Sequence, residues 1–456
     1  MLNRQKTNLR IRRIGLNRQI TRAAAIFAAV FLASLAVAAA APSAPITTLE
    51  EATSHALLHN AGVKAAFDRW QAAVQRSPQA RALPDPKLTY SYYIENVETR
   101  VGPQEQALGV AQTLPWFGKR DLRAEAADAG TRAARQRYEQ AKLDLLYDVK
   151  SAYYELYYIR RAIGITRDNM KLLETLEKVA QSRYKTGGPM VPLVQLQTEL
   201  GKLEDRIHEL EALRPAREAQ LNAALNRPPD APVSWPDNLT VPDVELNDNR
   251  LRDALAANSP LLRRYDAQVD KHAVQARLAA KRRRPDFTVG LKTLDTGDAR
   301  NPGTPGSGTD PVMATVSVNL PIWRSSYDAA EEEAERNRWA TIHEKAETRN
   351  QQNARLEMAL FQYRDAGRKI DLYKNTLVPK AEQSLKVARQ AFEVGEAEFL
   401  ALIDAERMLL EFELQHERAR TERARQLALI EKLIGVPVES ISRPATKPQP
   451  PGEQTP

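Results

Sequence analysis

The feature that most limits what this chain can fold into is its duplication. Two halves carry the same landmarks in the same order. Each opens with a helical stretch, Leu49 to Ala82 and Asn249 to Arg284, and each then reaches a Pro-Asp pair, Pro84-Asp85 and Pro285-Asp286. A strand-like run follows, from Leu88 in one half and Phe287 in the other, and then a polar loop. A second strand-like run begins at Ala107 and at Val312, and ends in Leu-Pro plus aromatic: Leu114-Pro115-Trp116-Phe117 and Leu320-Pro321-Ile322-Trp323. A very long helical segment comes next, broken near a glycine in Tyr184 to Gly188 and in Phe392 to Glu396. A return helix then closes the half at Asn226-Arg227-Pro228 and at Ile434-Gly435-Val436-Pro437. The ordered set of matches, not any one of them, makes this a repeat.

The segment Gly118 to Lys185 has no proline. As one helix it would run roughly 100 Å at 1.5 Å per residue. Leu145, Val149, Ala152, Leu156, Ile159 and Ile163 follow a heptad spacing, so the helix packs side by side with another. The matching segment, Ser325 to Phe392, carries Leu356, Leu360, Tyr363, Ile370, Leu377 and Ala381. Pro379 lies inside it and should bend it locally. Leu402, Ala405, Leu409, Phe412, Ile430 and Leu433 mark the return helix. Gly367, His416 and Arg423 also fall in these seams, which suits close packing around a wet interior better than a dry core. Hairpins this long cannot bury their faces alone. Each needs its sister and, by this reading, further copies of the chain.

Leu88, Tyr90, Tyr92 and Ile94 alternate with Thr89, Ser91 and Tyr93; Phe287, Val289 and Leu291, and Val312 to Leu320, alternate in the same way. Period two with one apolar face fits a sheet between oil and water, and equally a soluble sheet with one buried face. Strands are expected over about 87–94, 107–114, 286–294 and 312–320, and helical hairpins over about 118–226 and 324–434. Four strands are too few to close a barrel, so an edge-free membrane sheet would need an oligomer. The domains read as a first repeat over 42–227, a proline-rich linker over 228–248, a second repeat over 249–437 and a disordered tail over 438–456.

The formal charge of +8 looks like a nucleic-acid signal, but seven basic residues sit in the first 22 and no acid precedes Glu50. Without those seven the chain is nearly neutral, so no nucleic-acid partner is expected. The basic stretch runs into an alanine-rich apolar segment, Ala23 to Ala41, followed by Pro42. That is the order of a secretory signal peptide over 1–41. An uncleaved inner-membrane anchor is the alternative, since 19 residues could just span a bilayer. Cysteine is absent, which excludes disulfides and thiolate metal sites.

Together these landmarks resemble the TolC-type outer-membrane efflux proteins, over residues 49 to 437. The motifs are Leu114-Pro115 with Leu320-Pro321, the glycine-bearing tips, and above all Val394 to Leu410, VGEAEFLALIDAERMLL, which is similar to the family's second hairpin tip and somewhat to its heavy-metal branch. The resemblance implies a mainly α fold with a small β part: three chains forming a 12-stranded barrel on a periplasmic helical tunnel. It implies a homotrimer in outer-membrane lipid, exported through its leader, that meets a periplasmic adaptor and an inner-membrane pump. It puts the loops Val97 to Gln104 and Asn301 to Ser307 outside the cell. The implied activity is passive export of small toxic solutes, metal cations or drugs, with no enzyme chemistry and no cofactor.

The resemblance also supplies candidate residues. Relatives often carry two tip aspartates as constriction rings; here Asp404 matches the second and Ala401 replaces the first. Asp404 is therefore the candidate gate, with Glu406 and Arg407 as tethers. Three carboxylates on a threefold axis would repel one another and attract cations. An acid near a helix N-terminus has a simpler reading in the helix dipole. Tyr184, Lys185, Gly187, Gly188, Val394, Gly395 and Glu396 are expected to contact the adaptor. Arg282, Arg283 and Arg284, with Trp116 and Trp323, are expected at the membrane interface, although a basic cluster also suits a helix C-terminus. His55 and His59 lie one turn apart but read as a helix face, so no metal site is expected. The competing function is an inner-membrane-anchored periplasmic coiled-coil scaffold that transports nothing.

Overall fold

The computed structural model describes residues 46–239, 242, 244–394 and 398–442. The leader expected over 1–41, residues 443–456, and Gly395 and Glu396 lie outside the described residues. The first half contains α1 (Leu49–His59), α2 (Ala61–Val74), α3 (Arg76–Arg81), β1 (Lys87–Thr99), β2 (Gly102–Leu114), α4 (Lys119–Lys185) and α5 (Val191–Leu225). The second contains α6 (Asp248–Asn258), α7 (Pro260–Lys281), β3 (Phe287–Thr296), β4 (Val312–Val318), α8 (Arg324–Leu372), a π-helical turn at Tyr373–Leu377, α9 (Val378–Val394) and α10 (Phe399–Ile434); α11 (Glu439–Ser442) follows. No described helix is long and apolar enough to cross a membrane.

The opening stretches of both halves are broken helices. The first stops at Asn60, whose side chain accepts the Val63 amide as an N-cap and donates to the Ala224 carbonyl at 2.9 Å. The second stops at Ser259, because Pro260 can only start a helix. The short helices of the first half lie along α4, which packs against α5, α7 and α10 as well, whereas α6 of the second half lies against α10 and α8. All six residues of the α4 heptad seam are buried. In the sister helix Leu356, Leu360, Tyr363 and Ala381 are buried, whereas Ile370 and Leu377 are only half-buried. Leu377 lies in the π turn, whose wider winding rotates it off the repeat. Pro379 sits just after that turn, where the wider winding relieves the clash of its ring with the carbonyl of Asn375.

The four strands form one antiparallel sheet in the order β1-β2-β3-β4. The two halves meet where β2 pairs with β3, from Leu114↔Phe287 to Gln104↔Thr296. One face shows Leu88, Tyr90, Tyr92, Ile94, Leu108, Val110, Val289, Leu291, Val312 and Val316 to solvent, with Ile94 94% exposed. Neither β1 nor β4 has a second partner strand among the described residues. The first hairpin is longer than expected: residues 97–104 are not an open loop, since Val97 pairs with Gln104 and Thr99 with Gly102. Polar side chains hid this extension, because they bond across the strands: the Tyr90 hydroxyl donates to Gln106 at 2.9 Å, and Gln106 donates to Asp295 at 2.5 Å. At the other end of the chain, Val438 is buried and residues 439–442 form a helical turn, so the ordered body extends past 437.

Candidate functional site

The hairpin tips lie at the end of α4 and the start of α5, and at the end of α9 and the start of α10. The first tip is a tight turn. Gly187 has φ +93, the Gly188 amide donates to the Arg183 carbonyl at 2.9 Å, and a Cβ on Gly188 would fall 2.8 Å from that oxygen. Both glycines are thus required by the backbone. Tyr184 and Val394 are largely exposed. The residue that joins the tips, Arg183, carries no sequence signal. Arg183 donates from Nη2 to the carbonyls of Phe392 and Glu393, both at 2.6 Å, and its guanidinium lies 4.5 Å from the centre of the Phe392 ring. Phe392 meets Phe399 edge to face at 5.5 Å. Below them one apolar cluster unites both hairpins, with Leu173, Leu176 and Leu196 from the first and Leu402, Ile403 and Leu409 from the second.

Alongside this cluster Arg407 on α10 reaches Glu199 on α5. Nε donates to Oε2 at 3.1 Å, and Nη2 to Oε1, which gives a two-pronged ion pair between the hairpins. Lys202 also bonds Glu199 at 2.8 Å. Hydrogen bonding from Arg407 holds the Glu199 carboxyl below its usual range, and the same bond raises Arg407 further. Asp404 is 3.5 Å from Arg407, and its side chain is 59% exposed. The structure therefore brings Asp404 and Arg407 together, as expected, but gives Arg407 its main partner 208 positions away in Glu199.

Glu406 is not a partner of that pair. It is 1% exposed, and Oε1 has no hydrogen-bond partner. Burial, then the nearby Glu199 charge, pushes its carboxyl up to about 7, although Arg407 pulls the other way. Glu413, one to two turns on, is also raised by burial while accepting a bond from Asn169 at 3.2 Å. Glu417 is fully tied: it accepts from the Tyr157 hydroxyl at 3.0 Å and from Arg420 at 3.1 Å. A ladder of acids thus climbs α10 from exposed Asp404 through buried Glu406 to Glu417, which is ion-paired with Arg420.

At the other end of α4, Trp116 stacks on Phe287 with ring centres 5.7 Å apart. Its amide donates to Asp286 Oδ1 at 2.8 Å, and buried Lys119 binds the same oxygen at 2.8 Å and the Arg284 carbonyl at 2.7 Å. Arg282 and Arg284 are exposed, and Arg283 pairs with Asp328 at 2.6 Å and Glu331 at 2.8 Å on α8. Trp323, which caps the start of α8, is 74% exposed. His55 and His59 lie with tilted rings whose centres are 4.4 Å apart, and no cluster of three or more metal-ligating side chains occurs among the described residues.

A pair of long helical hairpins with a four-stranded antiparallel sheet open at both edges defines the class: a mainly helical fold of the channel-tunnel kind. The model of the outer membrane efflux protein family matches residues 52–227 and 251–436, and the chain belongs to that family. The two matched segments are the two repeats. Over 397 residues the chain is 24% identical to the cobalt-zinc-cadmium resistance protein CzcC of Cupriavidus metallidurans, covering 85% of this chain and 90% of that one. It is 26% identical to toxin and drug export protein A of Aggregatibacter actinomycetemcomitans over 237 residues, 49% of this chain and about half (51%) of that one. Its fold is similar to that of the outer membrane protein VceC from Vibrio cholerae, with a TM-score of 0.72 and 18% identity, covering 85% of this chain and 96% of that one.

Proposed function

We propose that this chain is the outer-membrane exit duct of a tripartite efflux pump, working as a homotrimer. Proteins of its family form trimeric channels that work with adaptor proteins and inner-membrane pumps. The observation that carries the reading is the sheet: four strands, two open edges and an exposed apolar face. In a bilayer every backbone N–H and C=O needs a partner, and lipid offers none. Three copies joined edge to edge would close 12 strands and turn the apolar face to lipid. The helical hairpins would then form a tunnel through the periplasm, and solute would pass down its own gradient or be pushed by the pump.

In this reading the tips carry the gate and the adaptor contacts. Asp404, exposed on α10, faces the axis as a ring of three carboxylates, and the Arg407–Glu199 pair ties the second hairpin to the first. Opening requires that tie to break. Tyr184, Lys185, Gly187, Gly188 and Val394 to Glu396 meet the adaptor. Trp116, Trp323, Arg282 and Arg284 lie at the membrane interface, and the leader over 1–41 is removed on export. The near full-length similarity to a cobalt-zinc-cadmium resistance protein favours divalent metal cations as cargo over drugs.

Membrane fractionation with native mass tests the architecture. The expected result is a trimer in the outer membrane with roughly the first 40 residues missing. A monomer or dimer in the inner membrane with its leader intact would discard the barrel and the gate together and leave the scaffold reading. Cargo is tested by growth of deletion cells on cobalt, zinc and cadmium against growth on antibiotics.

A further inference from the structure

The internal repeat fixes more than topology. The Pro-Asp pairs lie 201 residues apart and the Leu-Pro pairs 206. Moving each β1 residue on by 201 and each β2 residue by 206 reproduces the β3–β4 hairpin register. Lys87↔Ala111 becomes Thr288↔Ser317, and Leu88↔Val110 becomes Val289↔Val316. Tyr92↔Gln106 becomes Thr293↔Val312. The two hairpins therefore share one register, and the same shifts can be applied to the seam between the repeats.

That seam is the β2–β3 pairing, in which Val110 faces Leu291 and Gln112 faces Val289. It is locked at its base by Asp286, which accepts the Trp116 amide and the Lys119 ammonium. Its repeat-related counterpart would join the open edge of β4 to the open edge of β1. Resting on the trimeric reading above, we infer that β4 of one copy pairs with β1 of the next in the seam's own register, with Asp85 in the place of Asp286. Val318 then faces Leu88 of the partner subunit, Val316 faces Tyr90 of the partner subunit, Ala314 faces Tyr92 of the partner subunit, and Val312 faces Ile94 of the partner subunit.

The side chains agree independently with this register. The four β4 residues and the four β1 residues all lie on the exposed apolar face of the sheet. A slip of one residue would set Val316 against Thr89 or Ser91 and flip one strand's apolar set to the opposite face. A slip of two keeps the faces but moves Asp85 off the amide of Ile322, the residue that corresponds to Trp116. In the single chain Asp85 and Ile322 are both exposed. The Ile322 amide turns back on the Leu320 carbonyl at 2.9 Å, while that of Trp116 is held by Asp286. Correspondingly β4 stops at Val318, two residues short of the position that matches the end of β2. The lysine of the inner seam has no counterpart, since Ser325 stands at its place; Arg324 beside it is the nearest cation.

The chain's lack of cysteine makes the test direct. Val316→Cys with Tyr90→Cys in one chain, oxidised in outer membranes, is expected to give a covalent dimer and trimer ladder at least tenfold stronger than Val316→Cys with Leu88→Cys or with Tyr92→Cys. Val110→Cys with Leu291→Cys occupies the matching place in the inner seam and calibrates the oxidation inside one chain. A ladder strongest in either slipped pair overturns the register, as does absence of any ladder from protein that is trimeric by native mass. A monomeric native mass removes the trimeric reading itself, a separate result. Asp85→Asn is expected to lower the temperature at which the trimer dissociates in detergent while leaving the helical signal of the chain intact. An unchanged dissociation temperature would overturn the role given to Asp85.

Discussion

The two helical hairpins descend from one repeat and share a topology, yet they are held in different ways. The first is a frame. Its outward helix α4 runs 67 residues without interruption, with the heptad seam buried from end to end and a tip closed by two glycines. The second is broken on its outward limb by a π turn beside Pro379, and its tip is held by Arg183 from the first hairpin. Its return limb carries the buried acid Glu406 and the tether Arg407. Apolar packing cannot be released in steps, whereas an ion pair and a protonatable carboxyl can be. Under the gate proposed above, the first hairpin is the fixed wall and the second the limb that moves.

Substitutions can break that contrast. The largest effect is expected in the frame: Leu156→Ala, at a position 2% exposed, should cost about 2–5 kcal/mol in denaturant unfolding, against about 1 kcal/mol or less for Leu377→Ala at the π turn. Equal losses would show that both hairpins depend alike on their seams.

The second effect is one of pH. The Glu406 carboxyl is raised in the folded chain, so the fold holds a proton there that the unfolded chain releases first. Stability is full below the unfolded value of 4.5 and declines as pH rises toward about 7. The difference between pH 4.5 and pH 8 should be of order 2–3 kcal/mol per chain. Glu406→Gln should flatten the dependence and raise the melting temperature at pH 8. A pH profile unchanged by that substitution would assign the burial cost elsewhere.

Arg407→Ala comes next. Half-exposed, with Lys202 still beside Glu199, the pair contributes about 1 kcal/mol to stability. Its larger consequence should be in the pore, as longer open times in single-channel recordings. Glu199→Gln should do the same, and a double substitution should add little to either. Asp404→Ala should leave stability within about 0.5 kcal/mol, since the side chain is mostly exposed. It should raise ion conductance, admit large antibiotics and abolish block by multivalent cations. Unchanged conductance and block would remove Asp404 from the gate.

Much of this was legible in the sequence because it is periodic. The seam residues Leu145 to Ile163 announce a helix that must pack along its length, and the alternation at Leu88 to Ile94 announces a strand with one apolar face. The glycines at 187 and 188 mark a turn that no other residue fits. Where the chain departs from periodicity, its structure is not legible in the sequence. The polar run after Gly102 pairs as strand because Gln106 bonds on both sides, and the π turn displaces Leu377 by an extra residue that no spacing rule records. The site was legible only in part: Asp404 and Arg407 stand out by resemblance, but nothing local points to Glu199 or Arg183.

The sequence by itself determined the duplication, the lengths of the helices and the faces they bury, since these follow from spacing along one chain. Only the tertiary structure decided which charges meet. Glu199 and Arg407, and Lys119 and Asp286, are 208 and 167 positions apart. An ion pair forms where two backbones bring a donor and an acceptor within about 3 Å, and no local pattern encodes that distance. The structure also showed that the register of one hairpin is the register of the other, and the proposed joining of copies rests on that equivalence.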